Sequence, residues 1–203
     1  MNITRREFLQ AVGAGGLAGA ALPLWAADGN WTMRLATSSI QFKRLTLAQA
    51  CEEIAQLGFE AIDIWDKFTV GCTHLDEAAK LGGAGLKELL AKHQLNLSGF
   101  NVYRSSYAQY AELLGAAGGG VAVRDSENGK VAPEEIGTRM KQFFEKLKPQ
   151  VELAEKHNGW LAIENHGSAL LDSPDSFRAF VDLNPSPRVG IAFAPYHLQT
   201  INA

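Results

Sequence analysis

This 203-residue chain lacks three sequence features: a basic stripe, a long apolar run and a phosphate-binding glycine loop. They are typical of nucleic-acid-binding, membrane-spanning and dinucleotide-binding proteins, respectively. Its lysines and arginines are scattered and the formal net charge is −3, so no basic stripe is available to attract nucleic acid. The apolar segment at residues 11–24 is shorter than the roughly 20 residues that a membrane-spanning helix needs. The glycines at 118–120 precede a predicted strand, whereas a phosphate-binding glycine loop opens a helix. We therefore predict that nucleic acid is not a partner and that the mature protein does not insert stably into a membrane.

Cysteine is also scarce, with only Cys51 and Cys72 in the whole chain. Their spacing matches no metal-binding motif. In an oxidising compartment the two thiols could pair, but one lies in a predicted helix and the other in a predicted loop. We interpret both cysteines as structural residues.

The first 27 residues are predicted to be a signal peptide. Residues 4–10 read Thr-Arg-Arg-Glu-Phe-Leu-Gln, which is a twin-arginine signature, and Ala26 and Ala27 mark a cleavage site. The alternative is an uncleaved N-terminal anchor. The expected location is the periplasm or another compartment reached by twin-arginine export. Residues 28–203 are then enough for one domain with a sizeable core.

Short apolar runs alternate with segments of helical periodicity through this domain. The predicted strands are residues 33–40, 61–65, 96–103, 120–124, 160–164 and 189–193, and the predicted helices are residues 46–57, 86–93, 107–116, 134–157 and 174–182. The strand starts are roughly 24 to 40 residues apart, close to the ~30 residues of one βα unit. This alternation predicts an α/β domain with parallel strands and right-handed crossovers. An open doubly wound sheet has the same pattern, but without a dinucleotide fingerprint we favour a TIM (β/α)8-type barrel.

Proline and glycine mark the ends of several predicted elements. Pro149 lies within the apolar stripe of the helix at 134–157, so we expect it to kink that helix or divide it into two. The glycines at 118–120 are expected to end the preceding helix and turn the chain tightly into Val121. Asp172 or Ser173 is the expected N-cap of the helix at 174–182.

The most informative segment is residues 161–167, where an apolar strand ends in Glu164, Asn165 and His166. The strand at 189–193 ends similarly, in Ala-Pro-Tyr followed by His197. Carboxyl ends of parallel strands carry the active sites of α/β folds, and a buried carboxylate is costly unless it binds a cation, pairs or titrates. We therefore predict Glu164 and His197 as catalytic residues, and Asn165 and His166 as substrate-binding residues. The alternatives are an ion pair for Glu164, a structural role for His166, and stacking of His197 on Tyr196.

Two other strand ends carry further candidates. Strand alternation points Asp63 away from the side of Ile62 and Ile64, into the barrel interior or its upper layer. Trp65 follows at the end of the same strand, where its ring could stack on a sugar. Arg124 ends the fourth predicted strand. We predict Trp65 and Arg124 as substrate-binding residues, with purely structural roles as the alternative.

With these motifs and this strand spacing, the chain from about residue 33 onward resembles the xylose isomerase-like TIM barrel superfamily of sugar phosphate isomerases and epimerases. The resemblance implies a divalent metal ion (Mn, Mg, Co or Zn) at the barrel mouth. Its usual ligands are a glutamate, an aspartate, a histidine and a second glutamate at successive strand ends. Glu164 matches the first ligand. The aspartate usually begins an Asp-x-x-His stretch whose histidine contacts substrate; here His197 matches that histidine, and Ala194 replaces the aspartate.

The resemblance also implies that the barrel is incomplete. A complete barrel of this kind has eight βα units in ~250 residues, whereas about six units are predicted here. The other two units would carry the remaining two ligands, so we expect truncation after the sixth strand and weak retention of the metal. A partner chain that completes the barrel, or an oligomer, is the alternative.

The functional hypothesis is an exported isomerase or epimerase that acts on a ketose or keto-sugar by metal-assisted proton transfer and is impaired by truncation. Lyase or hydrolase action on keto-glycosides is a related reaction. The alternative is a non-catalytic, degenerate carbohydrate-binding barrel, which the replacement of aspartate by Ala194 favours. DNA-repair endonuclease activity, also found in this superfamily, is disfavoured by the export signal and the acidic balance. The expected partner is in each case a small-molecule sugar.

Overall fold

The computed structural model describes residues 35–67, 71–103 and 107–199. The predicted signal peptide at residues 1–27 lies outside the described residues. Within those residues, no helix combines the length and the apolar character needed to cross a membrane.

The fold is built on a sheet of parallel strands that follow one another in the order of the sequence. The six strands are β1 (Ala36–Ser38), β2 (Ala61–Trp65), β3 (Asn96–Asn101), β4 (Gly120–Asp125), β5 (Gly159–Glu164) and β6 (Val189–Ala192). Each strand pairs in parallel with the next. A parallel sheet of sequential order, with a helix after each strand, is the predicted α/β fold of an incomplete TIM barrel, and the prediction is confirmed.

Helices connect successive strands across one face of the sheet. They are α1 (Leu47–Gln56), α2 (His74–Lys92), α3 (Tyr107–Ala116), α4 (Ile136–Lys156), α5 (Pro174–Leu183) and α6 (Pro195–Gln199). Helix α2 packs on β2 and β3, α3 packs on β4 and β5, and α4 packs on β5 and on α5. The order of elements therefore brings all the carboxyl ends of the strands to one rim of the sheet.

The hydrophobic core lies between the sheet and the helices. Alternate strand residues point into it, and Ile62, Ile64, Phe100, Leu161 and Ile163 are completely buried there. The residues between them face the barrel interior, where most of them are only partly buried. This alternation decides which strand residues can reach a site inside the barrel, because successive side chains point to opposite faces of a sheet.

Two predicted elements differ most from those observed. Strand β1 covers only Ala36–Ser38, because the chain then turns into a 3-10 helix at Ser39–Phe42, and the Ser39 hydroxyl accepts a hydrogen bond from the Trp65 amide at 3.0 Å. Helix α2 begins at His74 and is kinked at Gly82, which separates two helical segments; the helix predicted from Leu86 corresponds to the second segment only. Its first part was missed because Gly82 interrupts the helical pattern, and Gly82 has a left-handed φ of 68°.

Pro149 does not divide α4. The helix runs from Ile136 to Lys156 with Pro149 inside it, so of the two predicted alternatives, a kink and a division into two helices, the division is wrong. Proline removes one backbone donor from a helix. The buried apolar stripe that includes Phe143, Phe144 and Leu147 packs the helix against the core.

The turn into β4 and the cysteines can be described directly. Gly118, Gly119 and Gly120 all have positive φ, as the predicted tight turn after α3 requires. Cys51 and Cys72 are both buried and both free, so the two thiols are not paired here. Cys51 belongs to the hydrophobic core, in agreement with a structural role.

Candidate functional site

A cavity of about 650 Å³ lies at the carboxyl ends of the strands. Its lining includes the side chains that end β2, β3 and β5 and those that follow β5 and β6. The polar and aromatic side chains of this lining include Asp63, Trp65, Asn101, Glu164, His166 and His197. The predicted residues Glu164, His197, His166 and Trp65 therefore lie around one cavity.

Glu164, His166 and His197 form a cluster in which one potential ligand atom of each residue lies within 4.8 Å of the others. Glu164 is the last residue of β5, His166 follows two residues later, and His197 lies on α6. The centroids of the two imidazole rings are 4.1 Å apart, with an angle of 32° between the ring planes. All three side chains are half-buried. We call these three residues the Glu-His-His cluster.

The donor atoms of the Glu-His-His cluster fit a divalent metal ion. One carboxylate and two imidazoles are a common ligand set for zinc and for other divalent first-row metals. In addition, Nδ1 of His166 is buried and has no hydrogen-bond partner among the described residues. A buried polar atom without a partner costs free energy, and coordination to a cation is one way to satisfy it. Glu164 was the one metal ligand identified from the sequence; the cluster adds His166 and His197.

Burial and neighbouring charges shift the pKa values of Glu164 and His197. Burial raises the pKa of Glu164, the nearby charge of Asp63 raises it further, and His197 partly offsets the shift. Burial lowers the pKa of His197, and the neighbouring His166 lowers it too, more than Glu164 raises it. A lowered pKa favours the neutral imidazole, which is the form that binds a metal.

Asp63 lies on the inner side of β2, as strand alternation predicts, and lines the cavity. Its Oδ2 accepts a hydrogen bond from Nε1 of Trp65 at 2.7 Å, and its Oδ1 accepts one from Nδ2 of Asn101 at 2.5 Å. Burial raises the pKa of Asp63, and these hydrogen bonds offset only part of that shift. The contacts hold the carboxylate in place and fix the Trp65 ring.

A row of three aromatic rings begins at Trp65 and ends at His166 of the Glu-His-His cluster. The centroids of Trp65 and Tyr103 are 5.4 Å apart, and Tyr103 meets His166 edge-on at 6.0 Å. We call Trp65, Tyr103 and His166 the aromatic wall. Such a wall offers flat apolar faces beside polar groups, which is the surface on which a sugar ring can stack.

Arg124 does not point into the cavity. Its neighbour Val123 does, so alternation turns Arg124 to the helical face of β4. There its guanidinium donates to Oε1 of Gln150 at 2.9 Å and lies 5.8 Å from the ring centroid of Phe143, both on α4. The predicted substrate contact is therefore replaced by a contact between the sheet and α4.

Asn165 is also turned away from the cavity, again because it alternates with Glu164 and His166. It is completely buried, its Nδ2 donates to the carbonyl oxygen of Ala194 at 2.9 Å, and its Oδ1 accepts from the amide of Ala194 at 2.7 Å. The position favours a structural role over the predicted substrate contact. Asn165 joins the chain after β5 to the chain after β6.

Among the cavity residues that received no role from the sequence are Asp63, Asn101 and Tyr103. Asp63 was placed correctly in the interior, but nothing in the local sequence indicated its hydrogen bonds. Asn101 and Tyr103 are two residues apart at the end of the third predicted strand, so period-two alternation could have placed both on one side. The same argument applies to His166, two residues after Glu164.

Comparisons with solved structures show the same fold. The chain superimposes on the probable 3-DHS dehydratase AsbF from Bacillus anthracis with a TM-score of 0.66, 16% sequence identity, and coverage of 84% of this chain and 66% of the other. For the IOLI protein with a bound zinc atom the TM-score is 0.64, with 18% identity and coverage of 84% and 66%. For the 3-keto-D-glucoside 4-epimerase YcjR from E. coli the TM-score is 0.64, with 14% identity and coverage of 83% and 70%.

The chain thus spans slightly less than two thirds of the length of the first two of these proteins. No curated protein sequence matches it significantly. The sequence model of the xylose isomerase-like TIM barrel family matches residues 51–203, which is most of the chain and includes the Glu-His-His cluster. The chain belongs to the xylose isomerase-like TIM barrel family.

Proposed function

We propose that this protein is a sugar isomerase or epimerase that moves a proton on a ketose or keto-sugar, with a divalent metal ion held by the Glu-His-His cluster. The observation that carries the proposal is the convergence of Glu164, His166 and His197 within 4.8 Å at the rim of the barrel. The twin-arginine pattern at residues 4–10 supports action after export.

The surroundings of the cluster support a sugar as substrate. The cavity of about 650 Å³ is within the usual range for small-molecule sites. It combines the flat rings of Trp65 and Tyr103 with the polar groups of Asp63 and Asn101. Among the structurally similar proteins, YcjR is described as an epimerase of a 3-keto-D-glucoside, and the IOLI protein contains zinc.

In the proposed reaction the residues of the cavity have separate roles. A divalent ion in the Glu-His-His cluster supplies Lewis-acid polarisation of the substrate's carbonyl and hydroxyl oxygens. Asp63 lines the same cavity and accepts the proton from the carbon next to the carbonyl, which gives an enediol; return of the proton to the neighbouring carbon completes an isomerisation. Epimerisation at one carbon needs a second carboxylate to deliver the proton on the opposite face, and Glu164 lines the same cavity. A general base works best when its pKa is near the working pH, and burial shifts the pKa of Asp63 in that direction. Trp65 stacks on the sugar and keeps water from one side of the reacting carbon.

A second candidate is a sugar-binding barrel without metal chemistry. Ala194 favours it, because this residue lines the cavity at the position where the family places an aspartate ligand. The cavity and its aromatic wall would serve such a binder equally well. The two candidates differ in whether sugar binding depends on the cluster.

Metal analysis and calorimetry on the exported protein separate the two candidates. If the protein is an enzyme, we expect about one zinc, manganese or cobalt ion per chain, and we expect Glu164→Gln or His166→Gln to weaken metal binding at least about tenfold. Glu152→Gln, at an exposed position of α4, is the matched control and should leave the metal content unchanged. Sugar binding that is insensitive to chelator and to Glu164→Gln would favour the metal-free binder instead.

A further inference from the structure

A second cavity, of about 310 Å³, adjoins the first one at the aromatic wall. Trp65, Tyr103 and His166 line both cavities. The remaining lining of the second cavity comes from the end of β4, from the loop after it and from the loop after β5, and includes Asp125, Asn128 and Ala169. The Glu-His-His cluster therefore has room for a ligand that extends past the aromatic wall.

Two loops that are hydrogen-bonded to each other line one side of the second cavity. The amide of Gly129 donates to the carbonyl oxygen of Ser168 at 2.9 Å, and the amide of Leu170 donates to the carbonyl oxygen of Glu127 at 2.7 Å. Asn128 and Ala169 form an isolated antiparallel bridge between these bonds. The two loops thus behave as one short antiparallel pair.

This pair of loops is also fixed to helix α4. The carboxylate of Glu127 accepts from Arg139 at 2.8 Å and from Lys146 at 2.6 Å, one cation on each oxygen. Both contacts come from α4, and the Glu127 side chain is mostly buried between them. The second cavity is therefore a preformed part of the fold, and binding there does not require a loop to become ordered first.

The groups that line the second cavity are suited to sugar hydroxyls. Asp125 supplies carboxylate oxygens, Asn128 supplies an amide that donates and accepts, and the aromatic wall supplies an apolar face. Acceptors, donors and a flat ring together are what a second pyranose needs. Two pyranose rings joined by one glycosidic oxygen occupy neighbouring spaces, and the two cavities are neighbours of this kind.

We propose that the substrate is a glycoside of two sugar rings, with the reacting ring beside the Glu-His-His cluster and the second ring in the cavity lined by Asp125 and Asn128. The inference rests on the proposed function, whose substrate it narrows from any keto-sugar to a two-ring keto-glycoside. In this arrangement the second cavity selects two-ring substrates, and the proton transfer takes place in the first cavity.

The test measures by calorimetry the affinity of the full chain, loaded with zinc, for a one-ring sugar and for a two-ring sugar. The probes are 3-keto-D-glucose and the cellobiose derivative that carries the same keto group on its non-reducing ring. We expect the two-ring sugar to bind at least about tenfold more tightly than the one-ring sugar. The second ring can form one or two additional hydrogen bonds in the second cavity, and bonds of ordinary strength raise affinity by about that factor. In Asn128→Phe, where an exposed side chain at the cavity becomes bulky, that advantage should disappear while binding of the one-ring sugar changes less than about twofold.

The matched control is Lys130→Phe, which adds the same ring at an exposed position of the same loop and should leave both affinities unchanged. Equal affinity for the two sugars in the unaltered protein would overturn the inference and leave the proposed function standing. An advantage of the two-ring sugar that survives Asn128→Phe would overturn it as well. Failure of both sugars to bind would contradict the proposed function and the inference together.

Discussion

Asn165 and Ala194 are joined by two hydrogen bonds, with the Asn165 amide donating to the Ala194 carbonyl at 2.9 Å and accepting from the Ala194 amide at 2.7 Å. This pair connects the ends of β5 and β6. Helix α6 begins one residue later, at Pro195, and carries His197 to within 4.1 Å of the ring centroid of His166. The Glu-His-His cluster therefore depends on a residue that does not itself face the cavity.

Asn165→Ala should loosen the cluster. The substitution leaves the amide and the carbonyl of Ala194 without their side-chain partner, and we expect a loss of about 2 to 3 kcal/mol in the free energy of unfolding. We also expect metal affinity to fall at least about tenfold, since His197 is no longer positioned. Urea denaturation and metal titration measure the two effects.

Asn184→Ala is the matched control for that experiment. Asn184 donates to the carbonyl of Val189 at 2.8 Å, at the opposite end of β6. Its loss should lower stability without changing metal affinity. Equal effects of the two substitutions on metal binding would show that Asn165 acts through general stability alone.

Asp63→Asn should separate proton transfer from binding. The amide keeps the shape of the side chain but cannot accept the proton, so we expect kcat to fall by about 10²- to 10⁴-fold while metal content and sugar affinity are retained. Asp182→Asn, at an exposed position of α5, is the control. Unchanged turnover of a keto-sugar would exclude Asp63 as the base.

Ala194→Asp should strengthen metal binding. Ala194 lines the cavity, and its backbone is held by Asn165, so a carboxylate there would point toward the Glu-His-His cluster from a fixed position. A fourth ligand completes the coordination that zinc prefers, and we expect at least about a tenfold gain in affinity, measured by competition with a chelating dye. Gln41→Glu, at an exposed position that follows β1 and lines the same cavity, is a control for added negative charge alone. The same gain in both variants would show that charge, and not ligation, is responsible.

Tyr110→Phe should destabilise the protein in a pH-dependent way. The Tyr110 hydroxyl on α3 donates to Oδ1 of Asp76 on α2 at 2.6 Å, and this bond, followed by the contact with Lys67, lowers the pKa of Asp76. We expect a loss of about 1 to 2 kcal/mol at neutral pH. Because the pKa of Asp76 is lowered in the folded state, its contribution is fully present above its ordinary value of 3.8 and disappears as the pH falls through the lower folded value.

Urea denaturation of Tyr110→Phe and of the unaltered protein should therefore give curves that differ at neutral pH and converge as the pH falls below 3.8 and through the lowered pKa of folded Asp76. Tyr107→Phe on the same helix is the matched control. The Tyr107 hydroxyl is buried without a hydrogen-bond partner among the described residues, so its removal should cost no stability. A difference for Tyr110→Phe that is the same at every pH would contradict the role of Asp76.

The positions of the strands and most helices could be read from the sequence because hydrophobic periodicity is a local signal. Apolar runs ending in Glu164 and before His197 identified the strands that carry the cluster, and β2 was predicted with its observed ends. The prediction was weaker where a local signal conflicts with packing. Pro149 suggests an interruption, yet α4 continues through it because its apolar face is buried against the core. At Gly82 the interruption is real, and α2 is kinked there.

The site was only partly determined by its local sequence. The residue types at the strand ends showed that chemistry is concentrated after β5 and β6, but their directions depend on alternation within a paired sheet. Arg124 and Asn165 carry suitable functional groups and still face the helices or the neighbouring strand end. By itself, the sequence determined the α/β barrel architecture and the place of Glu164 at its rim. Only the tertiary structure decided that His197 joins Glu164 and His166, that Asp63 and Asn101 share a hydrogen bond, and that a second cavity adjoins the first. These contacts link residues from different strands, whose spacing in the chain carries no information about distance.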